Sequence, residues 1–600
     1  MIKVSDYIAQ FLHTNSASRH VFMLSGGMAM HMIESFGRHP GFKVVPMHHE
    51  QAAGIAANSY GRTLNTTGIC MVTAGPGATN AVTPCAGAWM ESSPMFFLSG
   101  QVSRKNGRGD LAIRQRGIQE VDIVSIVKSI TKYAVQISEA GSIRYHLEKA
   151  LFLATHGRPG PVWLDVPVDI QGALVDETML QGFDPTPAEL SIGGIPVGER
   201  LCEQIRERIS RAKRPLLVLG QGVRLSGAAP LVQDLVRHLD IPVQTSWNGM
   251  DLIPADDPHV FGRANVFGPR HANIILQNSD LLLVIGARLG MQHTGYNVSA
   301  FARAADIIMV DLDPAEMEKP GLNISTRIHA DAKCFIEQLL KTAPIGEKPS
   351  AHADWFRYCR NIRSKYGKRD ISQDGYVDPF YFVERFSHKS PDDAVITYGS
   401  SGMPHTVFGG NYEIKGAQRA YCFKGLAGMG YGLPCTVGSA FATPGKRIYT
   451  LIGEGGLQLN IQELQTIRHF NLPVKIIVFN NGGYHSIRMT QTTFFNRHFV
   501  ASGPESDVTF PDLEKIAACY GLKYNRVDAN ERVDEAIAKL GADLEPAFLE
   551  VFISPDKALE PKLASYKLPD GSMESRPLED MVPLLPREEL AKDMIIPLIS

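Results

Sequence analysis

Neither sign of charge prevails in this chain: 60 Lys and Arg stand against 62 Asp and Glu, a formal net charge of −2 over 600 residues. Such a balance gives no electrostatic footing to nucleic acid or to an anionic membrane. No apolar run is long enough to cross a bilayer. The opening MIKVSDYIAQFLHTN lacks the apolar stretch of a secretory signal. The eight cysteines, Cys70, Cys85, Cys202, Cys334, Cys359, Cys422, Cys435 and Cys519, are scattered without C-x-x-C spacing. That argues against structural zinc and a disulfide framework, and for reduced thiols in a cytoplasmic protein. No short repeat is present. What remains is an ordinary globular mix, 44% apolar and 20% charged, of a length that suggests three or four domains.

Apolar strand-like runs alternate with helical patterns throughout, which predicts α/β domains with parallel sheets. Three blocks emerge, expected at 1–180, 195–345 and 370–555, with a Pro-rich tail at 556–600. The first has strand-like runs at Val44–His48, Gly68–Thr73, Met95–Ser99 and Val162–Val166. The second has them at Pro215–Leu219, Leu281–Ile285 and Asp306–Val310. The third has them at Ala394–Tyr398, Arg447–Ile452, Val474–Phe479 and Ala547–Phe552. A Pro- and Gly-bearing linker near Gln181–Gly198 and a polar stretch around Ile345–His352 separate the blocks.

The segment TLIGEGGLQLNIQELQTIRHFNLPVKIIVFNNGGY, Thr450–Tyr484, carries the most chemistry. An apolar strand runs into Gly453-Glu454-Gly455-Gly456, a helix follows, and a second apolar strand ends in Asn480-Asn481-Gly482-Gly483. Glycines admit a phosphate to the backbone, and a helix start aims N–H groups at it. A carboxylate in the first turn and an amide at the next strand end can share one hard cation that bridges phosphate oxygens. Twenty-four residues separate Gly455 from Asn480. This resembles the signature of thiamine-diphosphate enzymes, GDG followed by NN, with Glu454 in place of the family aspartate. The resemblance implies Mg2+ held by Glu454, Asn481 and the Gly483 carbonyl, with Gly453, Gly455, Gly456, Tyr484 and His485 beside the coenzyme.

The first block contains PMHHEQAAGIAANSYGR, Pro46–Arg62, in which Glu50 precedes an Ala-rich helix. Read alone, Glu50 is a helix-start charge favoured by the dipole. In the family a glutamate here bonds N1′ of the aminopyrimidine and favours the tautomer whose N4′ removes the feeble C2 proton, so the resemblance makes Glu50 the principal catalytic residue. VTAGPGATNAVTPCAGAWMESSPMFFLSGQV, Val72–Val102, and GRPGPVWLDVPVDI, Gly157–Ile170, look like the matching parts of acetolactate synthases. They bring Gly75 and Asn80 to the coenzyme. Leu426–Pro434, LAGMGYGLP, is similar to their LGTMGFGLP run. By that match Met429 wedges beneath the coenzyme and the Ala427 carbonyl accepts from N4′. Gly399, Ser400, Ser401, Gly402 and Met403 stand where a second diphosphate loop lies. The likeness covers the chain to about residue 555. It implies pyrimidine-binding, middle and diphosphate-binding domains, and sites shared in a homodimer or dimer of dimers.

For the reaction, the resemblance implies decarboxylation of a 2-oxo acid, pyruvate first, with carboligation of the acyl unit to a second carbonyl. Gly26-Gly27-Met28 match the acetolactate-synthase GGA, with a bulkier third residue, and Gln119 in RGIQEVDIV matches the acceptor-steering glutamine. Arg104, Arg108, Arg114 and Arg116 replace a shorter neutral loop. They leave open an alternative, acetyl transfer to a nucleotide-linked keto-sugar, because guanidinium forks suit phosphate oxygens. Glu454 leaves open a non-catalytic, coenzyme-binding scaffold. In the middle block RPLLVLGQGVRLSGA and DLDPAE leave FAD, an ADP-like ligand or neither open, with His293 where acetolactate synthases have arginine. The tail could pack over the site as a lid.

Overall fold

The structure is a computed structural model that describes residues 1–345, 352–400, 402–567 and 569–599. Most of the polar stretch expected as a linker around Ile345–His352, and the predicted loop residue Ser401, lie outside these described residues. The chain builds three parallel sheets flanked by helices. The first contains His20–Met23, Lys43–Pro46, Gly68–Val72, Met95–Gln101, Tyr133–Gln136 and Pro161–Pro167. Its strands lie across the sheet in the order second, first, third, fourth, sixth, fifth. The third sheet contains Val395–Tyr398, Arg419–Tyr421, Ile448–Gly453, Val474–Asn480, Lys523–Val527 and Ala547–Phe552, and repeats that order. The middle sheet contains Pro215–Leu219, Val243–Thr245, Leu281–Ile285, Asp306–Asp311 and Ile324–His329, ordered second, first, third, fourth, fifth.

The central strands are continuous apolar runs because helices cover both of their faces; Gly68–Val72, Pro215–Leu219 and Leu281–Ile285 are buried throughout. In each sheet the strand order reverses between the first and third strands. Chains leaving those two strands diverge to opposite faces and open a crevice at their carboxyl ends, where ligands of such sheets bind. The fold therefore supplies three crevices: beside Gly26 and Gly75, beside Gly222 and Gly286, and beside Gly399 and Glu454.

The first and third sheets share one core. Helix Glu50–Leu64 lies against helix Gly432–Ala442, joining Ala53, Ala56, Ala57 and Tyr60 to Val437 and Phe441. Their backbones approach so closely that a Cβ at Gly438 would stand 2.0 Å from the Ala56 carbonyl oxygen. Small residues on both helices make that approach feasible. Polar ties fix the register. The Ser59 hydroxyl donates to the Cys435 carbonyl at 2.7 Å, and the Tyr421 and Thr63 hydroxyls lie 2.6 Å apart.

The middle block is pinned to both. Arg62 donates to the Cys422 carbonyl at 2.8 Å and to Gln221 at 3.0 Å, and pairs with Glu91 at 3.3 Å. Asp251, 2% exposed, pairs with Arg224 at 3.0 Å and Arg419 at 2.7 Å. Arg419 in turn donates to the Thr63 carbonyl at 2.9 Å. Leu578, Leu590, Met594 and Ile596 enter a core with Phe261 and Ile275 of the middle block and Trp355 of the helix Ala353–Tyr366 that follows it. Glu579 there receives Arg303 at 2.8 Å and Gln277 at 2.7 Å. Apolar residues spaced along the tail bury themselves on the middle sheet's outer helices, so these residues serve as a strap.

Candidate active site

At the first crevice, strand Lys43–Pro46 ends and helix Glu50–Leu64 begins after an extended His49, whose Nδ1 accepts from the Gln51 N–H at 3.0 Å. The cap leaves Glu50 in the first turn, 8% exposed, with Oε2 accepting from the Asn80 amide at 2.9 Å. Asn80 closes the short helix Pro76–Asn80, entered through Gly75 at φ 61°. Gln119, also left-handed at φ 61°, packs its carbonyl against Gly75, where a Cβ would stand 2.6 Å from that oxygen. Glycine is therefore required there for both conformation and space. Gly26 lies against Thr73, whose hydroxyl accepts from the Met28 N–H at 3.2 Å, while Gly27 faces open space. Glu50, Asn80, Gly75, Gln119, Gly26 and Gly27 thus gather at one sheet end.

At the third crevice, Gly399 leaves its strand by donating to the Leu451 carbonyl at 2.7 Å. Ser400 follows, its hydroxyl buried and unpartnered among the described residues, then Gly402 at φ 74° and the buried Met403. Across from them Gly453 ends Ile448–Gly453 and Glu454 opens a short helix. Glu454 is 2% exposed, and its Oε1 accepts from the N–H of Asn481 at 3.2 Å and of Gly483 at 2.8 Å. Burial pushes its pKa up to about 7 against those donors. The Asn481 side-chain oxygen accepts from the same Gly483 N–H at 3.3 Å. Oxygens of Glu454 and Asn481 therefore converge, the oxygen chemistry that a magnesium ion takes. Added Cβ atoms at Gly453, Gly456 and Gly482 would meet nothing within 4 Å, so the cradle is open along its glycines. Ala427, at φ 55°, and Met429, 38% exposed, border the same end. Gly455 packs on the Tyr484 ring, which is anchored through its N–H to the Ser502 carbonyl at 2.8 Å. His485 meets the Lys557 carbonyl through Nε2 at 2.7 Å, its Nδ1 is buried without a partner among the described residues, and burial lowers its pKa.

Two residues that the sequence reading passed over join the clusters. The Asn460 amide donates to the Gly430 carbonyl at 2.8 Å and to Gln51 at 3.3 Å, touching the neighbours of Met429 and Glu50 together. Glu463, fully buried, accepts from the His48 N–H at 3.0 Å. The one available signal was an acid and an amide inside LQLNIQEL, between the cation motif's two halves.

The middle crevice opens into a cavity of about 750 Å3, bordered by Gly222, Gly286, Trp247, His293, Asp311 and Lys424. The Trp247 indole N–H and His293 Nε2 are buried behind its surface, without hydrogen-bond partners among the described residues. Gly222 and Gly286 touch so closely that a Cβ on Gly222 would stand 2.7 Å from Gly286 Cα. The arginine loop is largely engaged by its own surroundings. Arg104 pairs with Asp169 at 2.8 Å, Arg108 with Asp122 at 3.4 Å, and Arg116 donates to the Gly107 carbonyl at 3.4 Å.

Comparison with known proteins gives a consistent pattern. Residues 2–126 match the family model "Thiamine pyrophosphate enzyme, N-terminal TPP binding domain", residues 202–339 the central domain and residues 400–551 the C-terminal TPP binding domain. Acetolactate synthase 1, chloroplastic, of Zea mays is 30% identical over 554 residues, covering 91% of this chain and 85% of that protein. The probable acetolactate synthase large subunit of Methanococcus aeolicus is 31% identical over 535 residues, 85% of this chain and 86% of that protein. The acetolactate synthase isozyme 2 large subunit of Escherichia coli (strain K12) is 29% identical over 564 residues, 94% and 96%. With its three sheets and the crevices at their ends, the chain belongs to the thiamine-diphosphate-dependent enzymes, in their acetolactate-synthase-like group.

Proposed function

We propose that this enzyme decarboxylates pyruvate on thiamine diphosphate held with Mg2+ and joins the two-carbon acyl unit to a second carbonyl, as an acetolactate synthase does. The bound coenzyme supplies a nucleophilic carbon and a sink for the electron pair left when carbon dioxide departs. Glu50 carries the reading. It is a buried carboxyl without an ion pair among the described residues; Asn80 occupies Oε2, and Oε1 is left to take and return a proton. Glu454, Asn481 and the Gly483 carbonyl would hold the cation, and Gly399, Ser400 and Gly453–Gly456 the diphosphate. The buried, partnerless Ser400 hydroxyl and the open glycine face support that assignment.

Met429 would wedge beneath the coenzyme, the Ala427 carbonyl would accept from its N4′ amine, and Gln119, beside Gly75, would steer the acceptor. Exposure of Met429 and of Gln119 in a lone chain fits a site completed by a second copy, so we assign a homodimer or dimer of dimers. FAD or an ADP-like nucleotide fits the middle cavity. The glycine crevice suits a diphosphate, and Trp247, His293 and Asp311 line the same cavity. No helix among the described residues is long and apolar enough to cross a membrane, and all eight cysteines are free thiols, which supports a cytoplasmic setting.

Saturating pyruvate alone tests the reaction. Rapid acetolactate formation is expected. Slow carbon dioxide release that a nucleotide-linked keto-sugar stimulates would replace this acceptor with the sugar. The engagement of Arg104 and Arg108 in ion pairs weighs against that outcome.

A further inference from the structure

Lys424 places an ammonium in the wall of the middle cavity with no counter-ion. Its Nζ lies 3.8 Å from the Trp247 ring centroid, and no hydrogen bond or ion pair joins it to another described residue. Glu91 is the carboxylate that acts on it. That group is already committed to Arg62 at 3.3 Å, to the Asn248 amide at 2.9 Å and to the Gly425 N–H. Burial lowers the Lys424 pKa to about 8, the mark of a charge whose lost hydration is not replaced.

The residues around it do not supply the missing acceptor. His293, held neutral by burial, and Trp247 line the cavity, but the His293 Nε2 and the Trp247 indole N–H are buried behind its surface and have no partner among the described residues. The other ring close to Trp247, His405, also loses its proton through burial. The cavity wall here therefore offers an ammonium seated over an indole ring. The same cavity is lined by Asp311 and the Gly222–Gly286 crevice. Such a lining suits a ligand with a diphosphate for the glycines, hydroxyls for Asp311 and an electron-rich group for the ammonium.

Building on the nucleotide reading of this cavity, we propose that Lys424, seated over the Trp247 ring, forms a subsite for a negatively charged or strongly polarised oxygen of the cavity ligand. Two sources offer that chemistry, the dione edge of a flavin ring and the terminal phosphate of an adenine nucleotide. Lys424 stands three residues before Ala427 and five before Met429. It reads the ligand from the segment that leads into the coenzyme loop.

The test titrates the full-length wild type, Lys424→Met and Lys424→Arg with FAD and separately with ADP, by calorimetry, and records the melting temperature of each protein without ligand. Lys424→Met is expected to weaken binding about tenfold or more, as loss of a charge-assisted bond does. Lys424→Arg should keep most of the affinity. The melting temperature of unliganded Lys424→Met should equal or exceed the wild type's, because a poorly compensated charge has gone. A loss for FAD alone assigns the ring edge to Lys424, and a loss for ADP as well assigns a phosphate; either upholds the subsite. Equal binding by Lys424→Met and wild type would overturn it while leaving the nucleotide reading intact. A lowered unliganded melting temperature with unchanged affinity would mark Lys424 as structural. If neither FAD nor ADP binds the wild type at millimolar concentration, the nucleotide reading falls and takes this subsite with it.

Discussion

Glu463 accepts a hydrogen bond from the backbone N–H of His48 across 415 residues of sequence, at 3.0 Å. The bond ties the turn that delivers Glu50 to the helix behind the cation motif. Thr466 donates to the same carboxyl at 2.7 Å.

Burial pushes the Glu463 pKa up to about 7 from its ordinary 4.5. A raised folded-state value means the native state holds a proton that the unfolded chain has released. Its contribution is fully present below about pH 4.5 and is lost as pH rises through about 7. Glu463→Gln keeps an acceptor for His48 and cannot ionise. The melting-temperature difference, variant minus wild type, should therefore grow between about pH 4.5 and 7 and level off above. A difference that stays flat with pH would contradict this.

Glu50→Gln should lower carbon dioxide release from pyruvate by about 10²–10⁴-fold, the usual worth of a positioned general acid–base. Its amide oxygen can still accept from Asn80, so Mg2+-dependent thiamine-diphosphate affinity by calorimetry should change little. Turnover close to wild type would remove Glu50 from the mechanism.

Glu454→Asp restores the family residue and should nevertheless weaken Mg2+-dependent coenzyme binding. The longer acid is what reaches the Asn481 and Gly483 N–H groups, and losing partners that orient a metal ligand costs about 10–100-fold in affinity. Titration of Mg2+ at fixed coenzyme measures this; equal or tighter binding would show that the loop follows the shorter side chain.

Asp251→Asn leaves the half-buried Arg224 and Arg419 without the buried carboxylate they share. Removing one partner from such a group typically costs about 3–5 kcal/mol. Urea denaturation of the full chain, monitored across all three blocks, should show the loss; a change under about 1 kcal/mol would place the pair among weak surface bridges.

The sequence disclosed the sheet centres and concealed their margins. Strands such as Leu281–Ile285 are legible because burial on both faces makes them apolar throughout. Tyr133–Gln136, Val243–Thr245, Ile324–His329, Arg419–Tyr421 and Lys523–Val527 were not expected, and all five lie at sheet edges. An edge is covered incompletely, so KYNRV and ISTRIH keep charges that break the apolar run. His20–Met23, an inner strand, was hidden by its length of four residues. The repeated strand order of the first and third sheets could not be read from one chain, since order depends on which helices cross which face. At the site, glycine spacing and Glu50 were legible through their motifs. Asn460, Glu463 and Lys424 were not, because an acid, an amide or a lysine acquires its role only from the partners that folding brings or withholds.

Arg62 has a consequence for building hybrids of such enzymes. Its guanidinium meets a carbonyl at Cys422, which any replacement residue would also offer, and a side-chain amide at Gln221, which most would not. Exchange of the C-terminal third with a relative thus preserves this junction for free, whereas exchange of the central third must bring glutamine, or an equivalent acceptor, to that single position.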